Sequence, residues 1–199
     1  YPPVATNSIK PIRKENVILF VGRFSNLMQS KNQNELVKAF KKIGLIDWKL
    51  ILAGGVEVGA DKFIMNLEKL SQNFPIEIVK SPSFKELKDL YGKAKIFWSA
   101  SGYGVNEAKV PQKVEHFGIS LIEAMAAKCI PIVYNAGGYK EIISENINGF
   151  FWNTTSELIK KTNLVLGSSS LATKISISAK NESQNYSDEK FKKEFLALI

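Results

Sequence analysis

Two glutamates frame the most informative stretch of this 199-residue chain: Glu115-His116-Phe117-Gly118-Ile119-Ser120-Leu121-Ile122-Glu123-Ala124-Met125-Ala126-Ala127. The apolar spacing predicts a helix over 118–128, with Glu115 just ahead of it and Gly118, Ile119, Ser120 and Leu121 at its start. First-turn amides have no intrahelical acceptor and sit at the positive end of the helix dipole, so such a turn can hold an anion without any side chain. Glu123 falls four residues after Ile119 and three after Ser120, on the same face as that turn. Its neighbours are apolar, and a carboxylate buried among them needs a partner. Two partners fit: a pair of adjacent sugar hydroxyls, or a lysine from elsewhere in the fold. His116 is the only histidine and Phe117 follows it; either can touch a ligand or serve packing alone.

A second constellation is Gly22-Arg23-Phe24 followed by Lys31-Asn32. Only two of the 27 basic residues are arginines, Arg13 and Arg23. In so lysine-biased a chain, Arg23 marks a place where the planar five-donor fork matters. Gly22 allows a sharp turn out of a strand, and Arg23 with Lys31 then offers a fork and a point charge suited to a diphosphate. The same residues also read as an ordinary ion-pair arginine and a solvated lysine. A third candidate is Asn135-Ala136-Gly137-Gly138, whose paired glycines let a ligand approach the backbone closely.

The elements that must position these residues alternate. Continuous apolar runs at 17–21, 48–53, 76–79, 95–99, 130–134 and 149–152 predict strands, and helical spacing predicts helices at 34–43, 60–73, 84–94, 118–128 and 138–144. Helices fill most of the remainder, ending in an amphipathic segment at 187–199. The expectation is an α/β fold: a Rossmann-like, doubly wound, mainly parallel sheet of about six strands. Ligands of such sheets sit beyond the strand C-termini, where the loops carrying all three constellations belong.

Composition narrows the function classes. The 45% hydrophobic and 23% charged content suits a folded domain and excludes disorder. The single cysteine, Cys129, excludes a disulfide scaffold and reads as a small buried residue. Net charge is +8, but no basic block exceeds two residues, which argues against nucleic acid and for an anionic small ligand or membrane surface. The four aspartates lie far apart, and one histidine with one cysteine cannot make a usual zinc site, so no metal is expected. G-x-G-x-x-G, P-loop and G-x-S-x-G motifs are absent. No apolar run approaches the roughly 18 residues that span a bilayer. No basic-then-apolar leader opens the chain, and a cytoplasmic protein is expected.

Taken in order, Gly22-Arg23, Lys31-Asn32, the Glu115/Glu123 segment and Gly137-Gly138-x-x-Glu141 resemble the donor-binding half of group 1 (family four) retaining glycosyltransferases of GT-B fold, over about residues 16–165. The resemblance implies one half of a two-domain enzyme. Residues 1–15 are then an interdomain linker, 16–185 the nucleotide-sugar domain, and 186–199 a tail helix that packs on an N-terminal domain outside this chain. It further implies that Arg23 and Lys31 neutralise the donor diphosphate. The amides around Gly118 to Leu121 bind phosphates and sugar, Glu123 holds ribose hydroxyls, and Glu115 contacts the transferred sugar. Lys80-Ser81 faces the base. The implied activity is metal-free hexosyl transfer from a nucleoside-diphosphate sugar, with GDP-mannose favoured; a non-catalytic sensor of the same fold is the alternative. The acceptor, a glycan, lipid-linked sugar or other hydroxyl compound, belongs to the other half, as does any peripheral membrane contact. The inserted-looking loop at 100–114 could move Glu115.

Overall fold

A computed structural model of the chain describes residues 1–25 and 30–198. Six strands and eight α-helices are described: β1 (Glu15–Val21), α1 (Gln33–Ile43), β2 (Lys49–Gly54), α2 (Asp61–Ser71), β3 (Ile76–Lys80), α3 (Phe84–Lys93), β4 (Ala94–Ser99), α4 (Ile119–Ala126), β5 (Ile130–Tyr134), α5 (Tyr139–Ile142), β6 (Phe150–Trp152), α6 (Thr155–Leu166), α7 (Ser169–Ser183) and α8 (Asp188–Leu196). The strands form one sheet in the order β3-β2-β1-β4-β5-β6, and every strand pairing is parallel. This is the doubly wound order, and the direction of winding reverses between β1 and β4.

Side-chain alternation along each strand divides the core into two layers. Val17, Leu19, Ile51, Ala53, Phe97 and Val133 face one side, where α4 supplies Leu121, Ile122, Ala124 and Met125. Ile18, Phe20, Leu50, Leu52, Ile96, Trp98 and Ile132 face the other, against Leu36, Val37 and Phe40 of α1 and Leu158 of α6. Continuous apolar strands are what a sheet covered on both faces requires. The two indoles buried here are also satisfied as donors: Trp98 Nε1 donates to Thr162 Oγ1 at 3.2 Å and Trp152 Nε1 to the Ser99 carbonyl at 3.1 Å. A capping box of Ser83 and Glu86 starts α3.

Part of the segment at 1–15, expected to be an interdomain linker, is docked on the sheet domain. Val4 donates to the Tyr186 carbonyl at 3.0 Å, its own carbonyl accepts from Asp188, and Val4 and Ile9 are buried in the α4 layer. Two isolated apolar residues among Pro, Asn and Ser have no periodicity that announces burial. At the other end α8 leaves Phe191, Phe195 and Leu196 exposed. No helix among the described residues is long and apolar enough to cross a membrane.

Candidate functional site

The reversal between β1 and β4 opens the loops after those strands in opposite directions, and the start of α1 stitches them together. Asn32, in the left-handed region at φ 50°, donates through Nδ2 to the Ala100 carbonyl at 3.1 Å. Gln33 donates through Nε2 to the Arg23 carbonyl at 2.8 Å. Lys31 is thereby fixed with its side chain only 10% exposed, and its Nζ donates to Glu115 Oε2 at 2.7 Å. Glu115 is 19% exposed. The two residues that the resemblance assigns to different parts of a ligand are brought together and paired with each other.

The inserted loop is anchored, which fixes Glu115. The Glu115 carbonyl accepts from the Gly138 amide at 2.8 Å. A Cβ on Gly137 would lie 2.2 Å from that carbonyl oxygen, one on Gly138 would lie 2.4 Å from the His116 oxygen, and Gly137 has φ +57°. The paired glycines were expected to admit a ligand; what approaches closely is the chain's own backbone at 115–117. Glu107, inside the same loop, accepts from the Gly137 amide at 2.9 Å and pairs with Lys140. These bonds, the Lys140 one foremost, hold its carboxyl below the usual range.

Gly118 caps α4 at φ +111°, and a Cβ there would press on the Tyr139 ring at 2.7 Å. Tyr139 is itself fixed by Ser99, hydroxyl to hydroxyl at 2.8 Å, and burial raises its phenol. The Leu121 and Ile122 amides turn back to the Gly118 carbonyl at 3.0 and 3.2 Å. The amides of Gly118, Ile119 and Ser120 donate to no acceptor among the described residues. Three donors at a helix start remain for an anion. Leu121 drops out of the expected contacts, because its amide is committed and its side chain fully buried.

Glu123 is half-buried on α4. Its Oε2 accepts from the Tyr91 hydroxyl at 2.7 Å, and Oε1 has no partner among the described residues. The expected partner was a lysine or a sugar; the protein supplies a tyrosine. Burial pushes the Glu123 carboxyl up, and the Tyr91 bond opposes that shift. The Tyr91 phenol lies well above its ordinary value, through burial first and the Glu123 charge second.

Arg23 turns to Glu57: its side chain is 62% exposed and its guanidinium lies 3.7 Å from the Glu57 carboxylate. Gly22 shapes the turn, but its amide is taken by the Ala53 carbonyl at 2.9 Å. Lys80 pairs outward with Glu68 at 3.0 Å, and Ser81 ties its loop to Gly54 and Val56. His116 is exposed. Phe117 stacks on Tyr1, with ring centroids 5.4 Å apart, and meets Tyr186 edge-on, so it packs beneath the loop. Neither Tyr91 nor Glu107 stands out in the sequence. Nothing distinguishes Tyr91 from any other apolar position on α3, and Glu107 is a lone acid in a polar loop.

The model of the family described as glycosyl transferases group 1 matches residues 5–182. Among curated relatives, the GDP-Man:Man(3)GlcNAc(2)-PP-Dol alpha-1,2-mannosyltransferases of Dictyostelium discoideum and Homo sapiens are each 26% identical over the whole chain. The chain spans only 41% and 42% of their respective lengths. Among solved structures, the C-terminal domain of a glycosyl transferase group 1 family protein from Francisella tularensis superposes with a TM-score of 0.75 at 20% identity, covering 93% of this chain and 99% of that one. Sucrose-phosphate synthase from Thermosynechococcus elongatus gives a TM-score of 0.79 at 18% identity, covering 99% of this chain and half of that one. With a family match over most of its length and the helix-start site at the sheet's reversal point, the chain belongs to the group 1 glycosyl transferases.

Proposed function

We propose that the chain is the nucleotide-sugar donor portion of a retaining glycosyltransferase that moves a hexosyl group onto an acceptor hydroxyl, with GDP-mannose the favoured donor. The observation that carries this reading is the 2.7 Å pair of Lys31 with Glu115, three residues ahead of the open amides of Gly118, Ile119 and Ser120. Breaking the bond from sugar to diphosphate leaves positive charge on the sugar and negative charge on the leaving phosphates. Fixed amides and an ammonium aimed at those phosphates stabilise that separation. When the diphosphate takes Lys31, Glu115 is released to accept from a sugar hydroxyl, and Glu123 offers its second oxygen to the ribose. On this reading no metal or cofactor is required.

The relatives' printed names, which specify GDP-Man as donor and a PP-Dol-linked acceptor, support the choice of GDP. The acceptor and any peripheral membrane contact are assigned to parts of the enzyme outside this chain. The test is calorimetric titration of the chain with GDP, UDP and ADP. Binding with GDP the tightest supports the proposal; no heat from any of the three at millimolar ligand contradicts it.

A further inference from the structure

Tyr91 is fully buried near the end of α3, and its hydroxyl has one described partner, Glu123. A phenylalanine would fill nearly the same space, so packing alone does not call for the hydroxyl. The backbone beneath it is clamped: the Tyr91 carbonyl accepts from Lys14 Nζ at 3.3 Å and from the Cys129 thiol at 3.3 Å. Lys14 Nζ also donates to the Ala94 carbonyl at 2.6 Å, tying the start of β4 into the same support. A rigid ring on a clamped backbone thus delivers one donor to one oxygen of a half-buried carboxylate.

We propose that Tyr91 is a positioning residue of the nucleotide site: by holding Oε2 of Glu123 it orients the carboxylate so that Oε1 receives the ribose hydroxyls. This rests on the reading of Glu123 given above. A site built to grip a sugar diol gains from a carboxylate whose rotamer is set before the ligand arrives, because the ordering cost is then not charged to binding. The bond also favours the ionised form, which accepts from hydroxyls, against the burial that disfavours it.

The experiment compares GDP with inorganic pyrophosphate, which presents phosphates and no ribose. Tyr91→Phe is expected to weaken GDP about tenfold, the scale of one hydrogen bond to a charged group, and to leave pyrophosphate unchanged. Glu123 keeps its charge less readily without the hydroxyl, so the loss of GDP affinity on acidification should begin at higher pH in the variant. Glu123→Gln tests the underlying reading: it should weaken GDP and spare pyrophosphate, and unchanged GDP binding sinks that reading. If Glu123→Gln weakens GDP while Tyr91→Phe binds it like the parent, the positioning role is overturned and the reading of Glu123 stands. Equal weakening of both ligands by Tyr91→Phe marks general damage and also overturns it. Should Tyr91→Phe fail to fold, 3-fluorotyrosine at position 91 keeps the hydroxyl and makes it a stronger donor. The fall-off in GDP affinity then moves to lower pH, and an unmoved profile refutes the proposal.

Discussion

Replacing Glu115 by glutamine removes the negative half of the 2.7 Å pair with Lys31 while nearly preserving the side chain's size. Exposed pairs contribute about 0–1 kcal/mol, whereas removing one partner of a buried pair costs about 3–5 kcal/mol. With 10% and 19% exposure, this pair lies between those limits. A loss of about 2 kcal/mol follows, because the ammonium keeps an amide oxygen but loses its counter-charge. For a chain of this length that is a fall in Tm of roughly 4–8 °C, read by thermal unfolding. The nucleotide should reverse the effect. A diphosphate that compensates Lys31 recovers what the free variant lost, so GDP binds Glu115→Gln more tightly than the parent, by up to about thirtyfold. Calorimetry with GDP and melting curves with and without it measure both quantities. A variant that is destabilised yet binds GDP no better than the parent would refute the argument, since Lys31 would then not exchange Glu115 for phosphate.

Three other substitutions follow from the same geometry. Lys31→Gln removes the cation that meets the diphosphate and should weaken GDP roughly ten- to hundredfold in the same titration. Gly138→Ala drives a Cβ to within 2.4 Å of the His116 carbonyl. It should cost about 1–3 kcal/mol in chemical denaturation and displace the segment bearing Glu115, lowering GDP affinity as well. Glu123→Gln should raise the Tm of the ligand-free chain at neutral pH. Burial raises the native carboxyl, so its stabilising contribution is complete below the unfolded value and is lost as pH rises through the folded one. The advantage of the variant should therefore shrink on acidification, and melting curves across a pH series check it.

How much of this was legible depends on the range of the interaction concerned. The run at 17–21 forms β1, and the Gly118 helix start forms where spacing places it, because continuous apolarity and 3.6-residue periodicity are local. The partner of Lys31 was not legible: Glu115 lies 84 residues away, and only the parallel crossover between β1 and β4 brings the two loops together. Gly137 and Gly138 were read as a place where a ligand comes close, whereas the chain's own backbone does the approaching, which composition cannot distinguish. The rarity of arginine pointed to Arg23, which the fold leaves largely in solvent beside Glu57. Residues 26–29 of the same loop lie outside the described residues. Tyr91 was invisible because, on a helix, a buried tyrosine at a core position reads like any other core residue until its hydroxyl's partner is known.

A crystal structure of the chain grown with GDP would show where the diphosphate and the ribose sit. Phosphate oxygens are expected within about 3.2 Å of the Ile119 or Ser120 amide and of Lys31 Nζ, with a ribose hydroxyl on Oε1 of Glu123. GDP bound away from the start of α4, with the pair of Lys31 and Glu115 intact, would contradict this arrangement.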